Sequence, residues 1–318
     1  MPLAFAPAAR SSIESRRIAA ILGGEPMNRI LCYRLQTLLA VCIVLLSNGA
    51  SAADPSSVTL EAIKARKAIV IGYLKDAYPM SFIGQDGQPT GYSLDLCRAI
   101  AVEVGKAVGL DPIKIQYVPV TLEGRFDTVA SGAVDIECGT STMTLARMRK
   151  VDFTYTTFLD GGSLLVKKGS AIAGIPALVD ETVAVIPGTT SATSLRAALA
   201  KSYVNAKVVE VKTHEEGISA LEAGKVTAYA SDRVLLIGLL VKSSTPELFA
   251  IAPEQFSYEP YAFAVRRNDA GFRLVANTAL ARLYRSADVM AIFNRWFGSL
   301  GAPTPVLIGM YLMNATPE

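Results

Sequence analysis

Three groups of residues in this 318-residue chain could grip a small charged molecule. Asp135 to Arg147 reads DIECGTSTMTLAR: a strand-like apolar run ends at Gly139, three hydroxyls follow at Thr140, Ser141 and Thr142, and MTLARMR then looks helical. As a helix N-terminus, this stretch would turn free backbone N–H groups and the positive end of a helix dipole toward an anion. Arg147 would add a two-pronged donor for a carboxylate. An ordinary capped helix carrying a solvated arginine fits the same letters. The second group is IPGTTSATSLRAAL, where Gly188, Thr189, Thr190 and Ser191 again sit at a helix start. The third is Asp232, an acid at a strand end, suited to an ammonium group. An acid for a cation, an arginine for an anion and two hydroxyl-rich helix ends together describe recognition of an α-amino acid. With His214 the only histidine, a zinc site or a Ser-His-Asp triad has little material, so neither metal nor cofactor is expected.

The elements that must position these groups alternate. TLEAIKARKAIVIGYL predicts a short helix and a buried strand, SLDLCRAIAVEVGKAVGL an amphipathic helix capped by Ser93, and IKIQYVPV and AVDIEC two strands around a helix at GRFDTVASG. After the strand GSLLVKKG the plan restarts, with three more strand and helix pairs through DRVLLIGLL. TVASGAVDIECGT and SALEAGKVTAYASD match as helix end, glycine stop, strand and loop, setting Gly132 against Gly224 and Thr140 against Asp232. Such alternation predicts an α/β chain of two lobes, each a mostly parallel sheet flanked by helices, with a cleft between them beyond the strands' carboxyl ends. AGFRLVANTALARLYRSADVMAIFNRWFGSL reads as one long helix. Its apolar residues Phe272, Val275, Ala279, Leu283, Ala287, Met290 and Phe293 fall at steps of three and four and are assigned to the core.

A leader is expected ahead of this. From Met27 the chain shows a basic MNRILCYR, an apolar LQTLLAVCIVLL and a small-residue site at Ala50-Ser51-Ala52, the plan of a secretory signal peptide over residues 27–52. Residues 1–26 are read as a mis-called extension. Removing residues 1–52 takes away five arginines and two glutamates, so Lys+Arg falls from 31 to 26 and Asp+Glu from 28 to 26. A charge near zero argues against binding to nucleic acid or a membrane surface. Cys97 and Cys138 remain. Export would allow them to pair, but a helix face for one and a strand for the other read as two separate buried thiols.

GYSLDL at 91–96, ECGTST at 137–142, PGTTS at 187–191 and FNRWF at 293–297 resemble a bacterial family, the periplasmic amino-acid-binding proteins of ABC uptake systems with the type II fold. The chain is most similar to their glutamate/aspartate-binding branch, over Val58 to Phe297. That resemblance implies a monomeric binding protein that captures an amino acid and hands it to a membrane permease. It implies that Arg147, Thr140 and Thr142 hold the α-carboxylate, that Asp232 takes the α-amino group, and that Thr189 and Thr190 contact the ligand from the second lobe. Arg125 and His214 would hold an acidic side chain, although Arg125 also reads as a surface helix residue and His214 as a helix cap. Leu74 and Leu122 stand where that branch has an arginine and a serine. Lobe 1 is expected over residues 53–160 and 258–318 and lobe 2 over 161–257. The competing readings are an exported dehydratase resembling cyclohexadienyl dehydratase, and a binder of neutral polar amino acids.

Overall fold

The computed structural model describes residues 57–318, so the readings made for residues 1–52 lie outside the described residues. Helix α1 (Val58–Arg66) is capped by the Ser57 side chain, which accepts from the Leu60 N–H at 3.0 Å. β1 (Ala68–Tyr73) is buried along its whole length, as a central strand covered on both faces must be. A small antiparallel sheet, β2 (Asp76–Ala77), β3 (Ser81–Ile83) and β4 (Pro89–Thr90), precedes α2 (Tyr92–Val108). β5 (Lys114–Pro119), α3 (Arg125–Ser131), β6 (Ile136–Glu137) and β7 (Val151–Asp160) follow.

The chain then leaves for a second sheet. β8 (Gly162–Lys167), β9 (Thr182–Val185), α4 (Thr190–Lys201), β10 (Lys207–Glu210), α5 (His214–Glu222), β11 (Ala228–Asp232), α6 (Arg233–Lys242) and β12 (Phe249–Ile251) build it, in the order β10-β9-β11-β8-β12. β13 (Glu259–Arg266) returns to complete the first sheet, β5-β1-β6-β13-β7. Both sheets are mixed: β5, β1 and β6 run parallel, as do β10, β9 and β11, while β13 and β8 are each antiparallel to both neighbours. Alternate residues of β8 serve opposite faces, Leu164 and Val166 packing toward Leu195 of α4 and Leu165 toward Leu221 of α5 and Leu236 of α6. The two-sheet α/β architecture is the one that the alternating pattern implies.

Several local expectations change. Cys97 and Cys138 are each fully buried, yet they form a disulfide rather than two separate thiols. The reason is packing: α2 crosses the end of β6 with the two Cα atoms 6.4 Å apart, within bridging distance. No α-helix follows Thr142. The Ser141 carbonyl accepts from Ala262 N–H at 3.0 Å, and Met143 N–H donates to the Pro260 carbonyl at 2.8 Å. Pairing with β13 thus holds the loop extended, and only a single 3-10 turn, Arg147–Arg149, forms. Ser93 is not the cap of α2. Gly91 is, at φ 134° and against the Met80 carbonyl, where a side chain would overlap it, while Ser93 Oγ donates to the Gly139 carbonyl at 2.8 Å.

The long C-terminal helix is two, α7 (Ala270–Arg285) and α8 (Asp288–Phe297). Ser286 is extended and its hydroxyl accepts from the Asp288 N–H at 3.2 Å, a local bond that competes with helix continuation. Phe272, Ala279, Leu283 and Phe293 are buried, Val275 and Met290 half-buried, and Ala287 lies exposed at the break. A last helix, α9 (Pro305–Asn314), docks Tyr311 against Tyr92, their hydroxyls 2.6 Å apart. No helix among the described residues is long and apolar enough to cross a membrane.

Candidate functional site

Arg125, Thr140 and Arg147 form one wall of a cleft at the carboxyl ends of the first sheet's strands. Arg125 opens α3 and is 3 % exposed, so it is no surface residue. Its Nε donates to Ser141 Oγ at 2.8 Å and another guanidinium nitrogen donates to the Leu122 carbonyl. Arg147 donates to the Thr142 carbonyl at 2.7 Å. Both guanidiniums also lie over the Phe126 ring, at 4.5 Å and 5.1 Å from its centroid. Burial and the neighbouring Arg125 charge lower the Arg147 pKa to about 10, which leaves it cationic at neutral pH. Two desolvated cations side by side are unfavourable unless anions face them.

The opposite wall comes from the second sheet. The Thr189 hydroxyl caps α4, accepting from Ala192 N–H at 3.1 Å and donating to the Ile186 carbonyl at 2.8 Å. Gly188, at φ 74°, makes the tight turn into that cap. The Thr190 and Thr142 hydroxyls meet at 3.2 Å, so the two walls touch. Asp232, at the end of β11, accepts from the hydroxyls of Ser191 and of Tyr261, the latter reaching over from β13. His214 begins α5 behind its cap Thr213 and does not cap the helix itself; its Nδ1 is hydrogen-bonded to the Tyr229 hydroxyl at 2.7 Å. Burial lowers the His214 pKa below its ordinary 6.5, so the imidazole is neutral at pH 7. It can share a hydrogen bond with a ligand but adds no positive charge.

All the expected site residues except Thr142 line a single narrow space, part of it open to solvent. Thr142 lies just behind, donating to Glu259 Oε2 at 2.6 Å. Leu122, Ile186 and Leu235 supply apolar surface, and the cleft continues past Leu122 and His214 toward Leu74 and Lys75. Residues unforeseen around the site are Tyr261 and the acids Asp160 and Glu259. Burial, then the charge of Glu259, raises the Asp232 pKa to about 6, and burial, then Asp232, raises that of Asp160 to about 7. A buried acid already crowded by acids gains from a cation placed beside it, and the cleft offers that cation's other end two arginines. The arrangement suits a zwitterion.

Comparison with known proteins agrees with this geometry. Residues 69–299 match the model of the bacterial extracellular solute-binding proteins, family 3. The L-glutamate/L-aspartate-binding protein of Pseudomonas aeruginosa is 34 % identical over 82 % of this chain and 87 % of its own length. The glutamate/aspartate import solute-binding protein of Escherichia coli is 29 % identical over 81 % of this chain and 87 % of its own length. Among solved structures, the ancestral amino acid-binding protein AncCDT-1, a precursor of cyclohexadienyl dehydratase, superposes with a TM-score of 0.66 at 28 % identity, covering 75 % of this chain and 99 % of that one. Sheets, cleft and sequence agree on one family, and the chain belongs to the bacterial extracellular solute-binding proteins, family 3.

Proposed function

We propose that this protein captures one free α-amino acid, glutamate or aspartate by preference, and delivers it to the permease of an ABC importer. The observation that carries the reading is the opposition of Arg147 and Arg125 to Asp232 across one space between the sheets. Arg147, Thr140 and Thr142 receive the α-carboxylate, Asp232 the ammonium, and Thr189 and Thr190 close on the ligand from the other wall. Arg125 and His214 receive the side chain. The names of the two relatives support the acidic preference. Leu122 in the wall and a neutral His214 narrow the margin over glutamine and asparagine.

The lobes are residues 53–160 with 258–318, and residues 161–257. They close as rigid bodies about Asp160–Ser163 and Ser257–Tyr261, where the chain passes between the sheets. The protein acts in the periplasm as a monomer, after cleavage behind Ala52. It is not an enzyme: the kinship of AncCDT-1 to a dehydratase makes proton transfer by a cleft acid the alternative, but Asp232 is taken up by the ligand's ammonium.

Calorimetric titration of the wild type and Arg125→Ala with glutamate, glutamine and leucine tests the reading. Glutamate is expected to bind most tightly, with Arg125→Ala weakening glutamate far more than leucine. Tighter binding of leucine or glutamine by the wild type, or equal losses for all three ligands, would remove the acidic assignment and leave amino-acid capture. Turnover of prephenate would remove the non-enzymatic reading.

A further inference from the structure

We propose that Glu137, a carboxylate sealed behind the arginine wall, sets the charge of that wall, so that binding an acidic amino acid draws a proton onto Glu137 and binding its amide does not. The inference rests on the acidic-ligand reading above.

Glu137 is the last residue of β6 and is completely buried. Among the described residues neither carboxylate oxygen has a hydrogen-bond partner of good geometry, an unusual state for a buried carboxylate, although the Ser141 hydroxyl and the Gly139 N–H lie close enough to favour its charged form. The carboxylate lies against the backbone of Gly139, where any side chain would overlap Oε1, so the glycine before Thr140 is what admits it. Its electrostatic partners are Arg125 from α3 and Arg147 from the turn before β7, with the Ser141 hydroxyl nearby. Asp232 acts on both guanidiniums from across the cleft, and from β13 of the arginines' own sheet Tyr261 acts on Arg125 and Glu259 on Arg147, while Asp232 acts on Asp160 at the end of β7. Glu137 and Glu259 are the carboxylates on the arginines' own sheet, and of the two Glu259 already accepts from the Thr142 and Ser257 hydroxyls.

The charges then decide the outcome. Two guanidiniums against the carboxylates of Glu137 and Glu259 leave the wall with no net positive charge, and the α-carboxylate and ammonium that every amino acid brings cancel each other. A second ligand carboxylate beside Arg125 meets a wall with no positive charge to spare. Protonating Glu137 restores it, the proton coming from buffer on binding and returning on release. Burial already raises the Glu137 pKa above its ordinary 4.5, so the further rise caused by the ligand's charge brings uptake into the range above that value. Because the pKa is higher in the complex than in the free protein, the added glutamate affinity is present at low pH and is lost as pH rises through the bound-state pKa. Asp232 and the shared ammonium behave alike for glutamate and glutamine and cancel in their ratio.

The test is titration of the full chain with L-glutamate and L-glutamine between pH 5 and pH 8, in pairs of buffers that differ in ionisation enthalpy. Glutamate is expected to take up more protons than glutamine, by up to one. The glutamate-to-glutamine affinity ratio is expected to fall by up to about tenfold per pH unit in the titrating window. Glu137→Gln, a neutral mimic of the protonated acid, should keep the preference for glutamate and lose the difference in proton count. Equal counts for the two ligands overturn the inference while leaving acidic binding intact. A difference that survives in Glu137→Gln assigns the proton to another group, such as His214, and overturns it as well. If that variant does not fold, infrared difference spectra of the wild type decide: a protonated-carboxyl band must appear with glutamate and not with glutamine. Absence of glutamate binding at every pH removes the acidic-ligand reading and this inference together.

Discussion

The two walls of the cleft are held in different ways. The first-sheet wall is cross-braced: a disulfide ties α2 to the residue before Gly139, Ser93 holds the Gly139 carbonyl, and residues 141–143 are hydrogen-bonded to β13. The second-sheet wall is a helix end that caps itself through Thr189, with one acid, Asp232, shared with Tyr261 from the other side. One wall is a fixed mount for two arginines. The other can adjust without breaking anything covalent. Damage to the braces of the first wall should therefore appear as lost stability, and loss of a ligand-facing charge from either wall as lost affinity.

The largest expected effect is at Asp232. Asp232→Asn leaves the ligand's ammonium without its anion, and losing one partner of a buried ion pair costs about 3–5 kcal/mol, or roughly two to four orders of magnitude in affinity. Calorimetry should find this loss for every amino acid bound, without a lower melting temperature for the unliganded protein. A fall in melting temperature with little change in affinity would reverse the assignment of the walls. The disulfide comes next. It closes a loop of 41 residues, so replacing both cysteines by serine should lower stability to denaturant by about 4 kcal/mol on the chain-entropy model, while the order of ligand preference stays the same.

Acidity should separate the two properties. Asp232 and Asp160 have folded pKa values raised to about 6 and about 7, above an ordinary value of 3.8. Their contribution to the stability of the unliganded fold is thus full below that ordinary value and lost as pH rises through about 7. Affinity runs the other way, since an ammonium needs ionised Asp232, and it should weaken as pH falls below about 6. Melting curves, and titrations with glutamine, at pH 5 and pH 8 should show opposite trends; parallel ones would mean that these acids do not face the ligand. The smallest effect belongs to Thr189→Ala, which removes the α4 cap at a cost of about 1 kcal/mol. Amide exchange should speed up in the first turn of α4, with Thr189→Ser restoring it.

How much of this can be read from the chain depends on how far apart the partners are. The Gly188 turn, the Thr189 cap and the acid ending β11 are written in neighbouring letters, and so is the buried run of β1. Glu259 meets Thr142 from 117 residues away and Tyr261 meets Asp232 from 29, so neither can be inferred from local pattern. Arg125 shows the same limit, since an arginine at a helix start looks solvated until Ser141 and the cleft close around it. The missing helix after Thr142 has a different cause. Its propensity signals were local and sound, but backbone pairing with β13 outweighed them. The disulfide needed the packing angle of α2, which no spacing of two cysteines contains.

The order of strands also bears on how the molecule is completed as it emerges from its N-terminus. The second sheet is drawn from one uninterrupted stretch, Gly162 to Ile251, whereas the first must wait for Glu259–Arg266, a strand that lies between β6 and β7. Until those residues arrive, the Ser141 carbonyl and the Met143 N–H lack the partners that hold the loop open. The later part of the chain can thus finish folding before the earlier part, and the half that carries Arg125 and Arg147 is the last to take shape.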